Sequence, residues 1–321
     1  MRRLGCLGIG ALLLAVAIVL GVANMWGGRG PLDRAISLQV APGASLSTVS
    51  LQLEKAGAIA SAERFRLLAR VFGSNAPVKA GEYRIPPRLS QGDILKVLQG
   101  TKTVQRFVVI PEGYPSVMVK QVLDRTAELS GTVDAPAEGS ILPDSYAYQR
   151  GETRAQMVTR MQAPMTAYLA QAWAKRKPGL VVRTPREALI LASIVEKETG
   201  KPSERRLVAA VYANRLRQRM MLQADPTIIY PITKGKPLGR KILLSEVRAV
   251  NAYNTYAMTG LPAGPICNPG RASIDAVLDP AQSKALYFVA DGSGGHVFAD
   301  TLPEHNANVV KWRAYRLAHG I

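Results

Sequence analysis

The 321 residues predict an α+β protein behind a single N-terminal transmembrane helix. Three observations carry that prediction. An apolar run reaches from Leu4 to about Trp26 behind two arginines. Short alternating strands and capped helices then interleave up to Ile110. Beyond that point long helical periodicities alternate with four polar loops.

The elements follow in chain order. At ~1.5 Å per residue, a helix over Leu4–Trp26 is long enough for a ~30 Å hydrocarbon core. A cleaved leader would show a shorter apolar region and a small-x-small site, for which Gly21-Val22-Ala23 is a poor match. Cys6 precedes the run instead of following it, so a lipoprotein site does not fit. Arg2 and Arg3 favour a cytoplasmic N-terminus. Residues 1–3 are therefore expected inside, 4–26 in the membrane, and the chain from about Gly27 outside.

Ile36–Ala41 alternates as a strand does, and Pro42-Gly43 turns the chain. Ser45 or Ser47 caps a helix to Lys55, closed by Gly57. Ser61–Gly73 reads as a second helix and Lys79–Pro86 as a strand. Ser90 and Asp93 open a helix to about Leu98, followed by a strand from Val104 to Ile110. This segment carries no catalytic cluster, which leaves binding, positioning or spacing as its role. Residues 114–136 then read as helix followed by loop. In the turn-rich stretch Glu138–Tyr146, Asp144 and Tyr146 are either cleft residues or turn residues. Residues 153–175 form an amphipathic helix whose stripe of Met157, Met161, Met165, Leu169 and Trp173 reads as core.

The stretch Thr184–Gly200 organises the remainder. Thr184 is a good N-cap, Pro185 suits the first helical position, and Glu187 stands where a capping-box acid reaches back. Gly200 is placed to close the helix in a left-handed turn. Apolar residues from Leu189 to Val195 wrap most of the wheel, so the helix is buried, with Lys197 beside Ser193 on its one polar edge. Glu196 and Glu198 both leave it from apolar flanks. Apolar surroundings raise a carboxyl's pKa and make it a proton donor near neutral pH. Either acid could equally be a rim residue paired with an arginine.

A helix from Ser203 to Arg219 follows. The polar residues then gather in four loops: Leu222–Tyr230, Asn251–Tyr256, Gly260–Gly270 and Tyr287–Phe298. Their Gln, Asn, Thr, Tyr and Asp side chains suit sugars and peptides; there is no P-loop and no GxGxxG for phosphate.

Composition narrows the partner. Lys and Arg number 41 against 23 acids, a net charge of +18, which implies an anionic partner. An anchored domain outside the membrane excludes nucleic acid and leaves anionic lipid headgroups or an acidic polymer. Two cysteines and three histidines supply no disulfide framework and no metal cluster, and no cofactor is expected.

The segments Ala192–Thr199, Leu222–Tyr230, Ala252–Tyr256, Gly260-Leu-Pro262, Asn268-Pro-Gly270, Tyr287–Asp291 and Gly294–Phe298 together resemble the endolytic murein transglycosylases, the YceG-like family. Seven separated motifs in one order, over nearly the whole chain, make the resemblance specific. It implies a LysM-like module at about residues 36–100 and a catalytic domain at 101–321. It implies cleavage of peptidoglycan glycan strands between N-acetylmuramic acid and N-acetylglucosamine, without water, leaving a 1,6-anhydromuramyl end. The family's catalytic acid maps to Glu198, with Glu196 and Thr199 in support. Gln223, Asp225, Tyr253, Asn254 and His296 are the expected sugar-contacting or orienting residues. Expected partners are the cytoplasmic membrane and the peptidoglycan synthases. The sequence departs from the family at Ala263, where Pro is usual, at Cys267, where a small residue is usual, and at Ile141-Leu142, where a more aromatic pair is usual. Two other readings fit the residues. One is a muramidase, with Glu196 or Asp225 as the second carboxylate. The other is a non-catalytic peptidoglycan-binding scaffold.

Overall fold

Helix α1 spans Arg2–Gly27 and is the first element of the computed structural model, which describes residues 2–320, with side chains from Leu12 onward. Among the described residues no helix is long and apolar enough to cross a membrane. Residue 1, and the side chains of residues 2–11 at the start of the expected anchor, lie outside the described residues. At the other end of the run, Trp26 packs 6.0 Å from Phe65 and 6.5 Å from Phe72. It thus belongs with the core of the first unit.

The chain divides into two units, Met1–Arg106 and Phe107–Ile321. In the first unit, β1 (Ile36–Val40) pairs antiparallel with β2 (Gly81–Ile85) in the register Ile36↔Ile85 to Val40↔Gly81. Helices α2 (Leu46–Lys55) and α3 (Ala62–Phe72) lie between these strands in sequence, and α4 (Gln91–Gln99) follows them. Ser45, Ser61 and Ser90 cap the three helices as their positions predict, each accepting from the N–H three residues on. Leu53, Phe65, Tyr83, Ile85, Ile94 and Leu98 fill the core.

The second unit mixes helices with two short strand pairs, the later of them antiparallel. β3 (Arg106–Val109) pairs with β4 (Ser145–Tyr148), and β5 (Tyr287–Ala290) pairs with β6 (His296–Ala299). Its helices are α5 (Ser116–Arg125), α6 (Arg154–Ala174), α7 (Pro185–Glu198), α8 (Arg205–Arg217), α9 (Asp225–Thr233), α10 (Leu244–Arg248), α11 (Arg271–Leu278) and α12 (Leu302–His319). α7 packs against α6, α8, α9 and α11. Its buried Leu191, Ile194 and Val195 share one cluster with Val208, Tyr212, Leu222 and Ile274.

Five expectations change on contact with this structure. Gly200 stays out of the left-handed region; α7 ends instead because Thr199 turns extended, with φ −137° and ψ 126°, its Oγ1 accepting from Lys201 N at 3.1 Å. Glu187 reaches back past the N-cap, accepting from Arg183 N at 2.6 Å. Ser193 forms no solvent edge: fully buried, its Oγ donates to Ile190 O and accepts from Ile266 N. The polar stretch Leu222–Tyr230 is no simple loop, since Asp225 and Pro226 start α9. Tyr287–Phe298 is a hairpin whose alternating apolar residues pair as strands around Asp291–Gly295. Of the pair left open, Tyr146 is buried in the cluster around Met157, while the exposed Asp144 pairs with Arg271 at 3.1 Å.

Candidate functional site

Glu198 is the last residue of α7, carried there by a helix whose other faces are committed to the core. The residue is half-buried as a whole, but its Oε1 is cut off from solvent and has no hydrogen-bond partner. An unsatisfied buried carboxyl oxygen costs about 1–3 kcal/mol, so its retention calls for a purpose. Burial, then the charge of Asp225, raises the Glu198 pKa to about 8, while the Tyr212 hydroxyl and the Arg215 guanidinium pull it down. At neutral pH the group therefore holds its proton.

Three elements converge on this carboxyl. Tyr212 and Arg215 come from α8, one turn apart and so on one face. Tyr212 is fully buried, and that burial, then the Glu198 charge, raises its own pKa well above the ordinary value. Asp225 opens α9. Tyr256 arrives from the loop after α10, its hydroxyl donating to Asp225 Oδ1 at 2.6 Å. Burial, followed by the Asp225 contact, raises the Tyr256 pKa.

A buried threonine pair holds the last two elements together. Thr227 Oγ1 and Thr255 Oγ1 lie 2.8 Å apart, both residues fully buried. Thr255 accepts from Ala224 N through Oγ1 and from Gln223 N through its carbonyl, at 3.0 and 3.1 Å. Gln223 pays for this with a left-handed φ of 51°, a conformation that costs a non-glycine residue about 1 kcal/mol or more. Its side chain stays exposed next to Asp225.

The other expected residues take supporting positions. Glu196 pairs with no arginine; its Oε2 accepts from Gly270 N at 2.9 Å, at the start of α11. Two residues apart on a helix, Glu196 and Glu198 leave at about 200° to one another, so they serve different neighbours. Thr199 is buried in the turn after α7. Asn254 is buried, with Nδ2 donating to the carbonyls of Val247 and Ala249 at 2.9 and 2.7 Å and Oδ1 accepting from Tyr256 N. It orders the loop that carries Tyr256. The Tyr253 and Tyr230 rings pack at a tilt, with centroids 4.7 Å apart. His296 Nδ1 lies 2.7 Å from Glu204 Oε2, and its ring meets Phe288, which in turn lies edge-on to Tyr212.

Sequence reasoning missed Tyr212, Arg215 and Tyr256. The helix that carries Tyr212 and Arg215 was recognised, but neither residue was marked on it as functional. Tyr256 stood inside a recognised loop, and the short step from Asp225 to Tyr256 exists only in three dimensions. A second acid, Glu138, also has its pKa raised by burial, yet it accepts from Ser116 N at 2.9 Å and Ser116 Oγ at 3.1 Å. Only Glu198 of the two is left with an unpartnered oxygen.

Comparison with known proteins follows the same lines. The model of the YceG-like family matches residues 38–311. An endolytic murein transglycosylase of Bacillus subtilis (strain 168) is 26% identical over 304 residues, covering 84% of this chain and 83% of that protein. One from Streptococcus pneumoniae serotype 2 (strain D39 / NCTC 7466) is 30% identical over 325 residues; the match covers 86% of this chain but 58% of that longer protein. The 2.6 Å crystal structure of a YceG-like protein from Listeria monocytogenes aligns with a TM-score of 0.54 at 29% identity, covering 85% of this chain and 98% of that one.

Proposed function

The chain belongs to the YceG-like family, and from that premise we propose that it is a lytic transglycosylase that cuts peptidoglycan glycan strands internally. The observation that carries the reading is the Glu198 carboxyl, whose Oε1 is buried without a hydrogen-bond partner in surroundings that raise its pKa to about 8. The protonated oxygen donates to the glycosidic oxygen between N-acetylmuramic acid and N-acetylglucosamine. The C1–O bond breaks, the electron pair leaves with the departing sugar, and an oxocarbenium-like centre forms at C1. The C6 hydroxyl oxygen of the same ring attacks C1, and its proton passes to the Glu198 carboxylate. The product is a 1,6-anhydromuramyl end, and the acid is returned to its starting state. No water and no second catalytic carboxylate enter these steps.

The second reading, a muramidase, is favoured by one feature: Asp225 is an exposed carboxylate close enough to Glu198 to act on its charge. Hydrolysis with two carboxylates is the usual glycosidase arrangement. The commitment of Asp225 to Tyr256 supports an orienting role instead.

The order β1–α2–α3–β2 supports reading the first unit as LysM-like and glycan-binding. The apolar run and its two leading arginines support an anchor in the cytoplasmic membrane with the catalytic unit outside. In that position the enzyme would end strands as synthases make them.

The deciding experiment is mass spectrometry of peptidoglycan strands incubated with the full chain and with Glu198→Gln. Anhydromuramyl ends from the wild type alone are expected. Reducing ends from the wild type would replace this reading with a hydrolase. Binding without cleavage would leave the non-catalytic scaffold.

A further inference from the structure

Arg215 is 8% exposed, yet its guanidinium faces no carboxylate at ion-pair distance among the described residues. Nε donates to Leu286 O at 2.7 Å, and Nη1 donates to Leu222 O at 2.7 Å and more weakly to Met221 O at 3.5 Å. Three carbonyls replace part of the lost water, but a buried cation without a counter-ion remains expensive. A fold that needed only a strap between α8, the loop before α9 and β5 could have used a neutral donor.

The charges around it indicate what the cation is for. Asp225 from α9 and Tyr212 from α8 act on Glu198, as does Arg215 itself, and Tyr256 from the loop after α10 holds Asp225 at 2.6 Å. On the far side of Arg215, the Tyr287 ring of β5 lies 5.3 Å from the guanidinium, and the His305 ring of α12 stacks on Tyr287 at 5.2 Å. Burial, then Arg215, lowers the His305 pKa, so His305 adds no second cation. In the resting site Arg215 and the Asp225 carboxylate balance while Glu198 is neutral. Once Glu198 gives up its proton, two carboxylates share the site, and Arg215, one turn from Tyr212 on α8, is the buried cation whose charge acts on Glu198.

We infer that Arg215 is a positioning residue for the reaction: it stabilises the Glu198 carboxylate between proton donation and proton return. This rests on the lytic reading above. The charge, more than the three carbonyl bonds, is what the reaction uses.

The test is the pH dependence of glycan cleavage by the full chain carrying Arg215→Gln or Arg215→Lys, with Glu198→Gln beside them. Arg215→Gln retains a donor for the carbonyls and removes the charge. It is expected to lower kcat by about tenfold or more and to move the alkaline limb upward by about one pH unit, since an opposite charge a few Å away is worth ~1–3 units. Arg215→Lys keeps the charge and is expected to leave the limb in place, with a smaller loss of kcat. A limb unmoved in Arg215→Gln, or moved by a full unit in Arg215→Lys, would overturn the inference. The lysine variant decides alone if the glutamine variant does not fold. Cleavage by Glu198→Gln would instead remove the underlying reading of the acid, and the inference with it.

Discussion

The Tyr256 hydroxyl donates to Asp225 Oδ1 at 2.6 Å, fixing the carboxylate whose charge helps hold the proton on Glu198. Two residues 31 positions apart in sequence thus tune an acid on a third element. Asp225→Asn removes the like charge, so the Glu198 pKa falls from about 8. The alkaline limb of the cleavage profile is expected to move to lower pH, opposite to the shift expected of Arg215→Gln. A profile of kcat against pH for the two variants checks both signs. A limb that stays in place in Asp225→Asn would separate Asp225 from the acid.

The raised Glu198 pKa is also a cost to the fold. Its carboxyl binds a proton in the folded state up to about pH 8 but in the unfolded chain only up to its ordinary value of 4.5. Stability from this group is complete below the unfolded value and declines as pH rises through the folded one. Glu198→Gln has no such term. It is expected to melt higher than wild type at neutral and alkaline pH, by a margin that grows with pH and vanishes in acid. Paired melting curves across pH measure it, and equal melting points at alkaline pH would contradict the burial.

The Thr227–Thr255 pair joins the two segments that carry Asp225 and Tyr256. Thr255→Val leaves Ala224 N without its partner and takes one of three contacts from Thr227 Oγ1, which keeps Ala224 O and Thr255 N. The expected loss is about 1–3 kcal/mol, with a fall in kcat larger than any change in KM. A double-mutant cycle with Thr227→Val is expected to show ~0.5–3 kcal/mol of coupling. Strict additivity would mean that the two segments are held by other contacts.

Glu138 serves as the counter-case. Its carboxylate accepts from Ser116 N and Ser116 Oγ, so Glu138→Ala leaves buried donors unpaired. A loss of about 1–3 kcal/mol in denaturant unfolding is expected. The folded fraction should still form the same glycan end groups at near wild-type rate. Loss of cleavage in a stably folded Glu138→Ala protein would make Glu138 a part of the site.

Local chemistry made much of this protein legible in one dimension. Ser45, Ser61, Ser90, Thr153 and Thr184 cap their helices because a side-chain oxygen three residues from a free N–H needs no distant partner. The apolar wheel from Ala188 to Val195 buries α7 for the same reason, since its periodicity is a property of the helix alone. Glu196 and Glu198 both stood out because they leave that wheel from apolar flanks, and the family resemblance alone singled out Glu198.

Tertiary structure alone decided what those flanks lead to. Glu196 and Glu198 look alike in sequence, but packing hands one to Gly270 N and leaves the other's Oε1 without a partner. Thr199, not Gly200, ends α7, because its hydroxyl finds Lys201 N. Asn254 and Tyr253, attractive as sugar contacts by type, also serve the fold, Asn254 Nδ2 donating to the Val247 carbonyl of α10 and Tyr253 packing on the Tyr230 ring. Arg215, invisible among 41 basic residues, becomes singular only when the fold buries it with no carboxylate at ion-pair distance among the described residues. The sequence by itself determined which helix is buried and which residue types reach its end. Desolvation and charge act through space, so which of those residues holds a proton depends on neighbours that only the folded chain brings within a few Å.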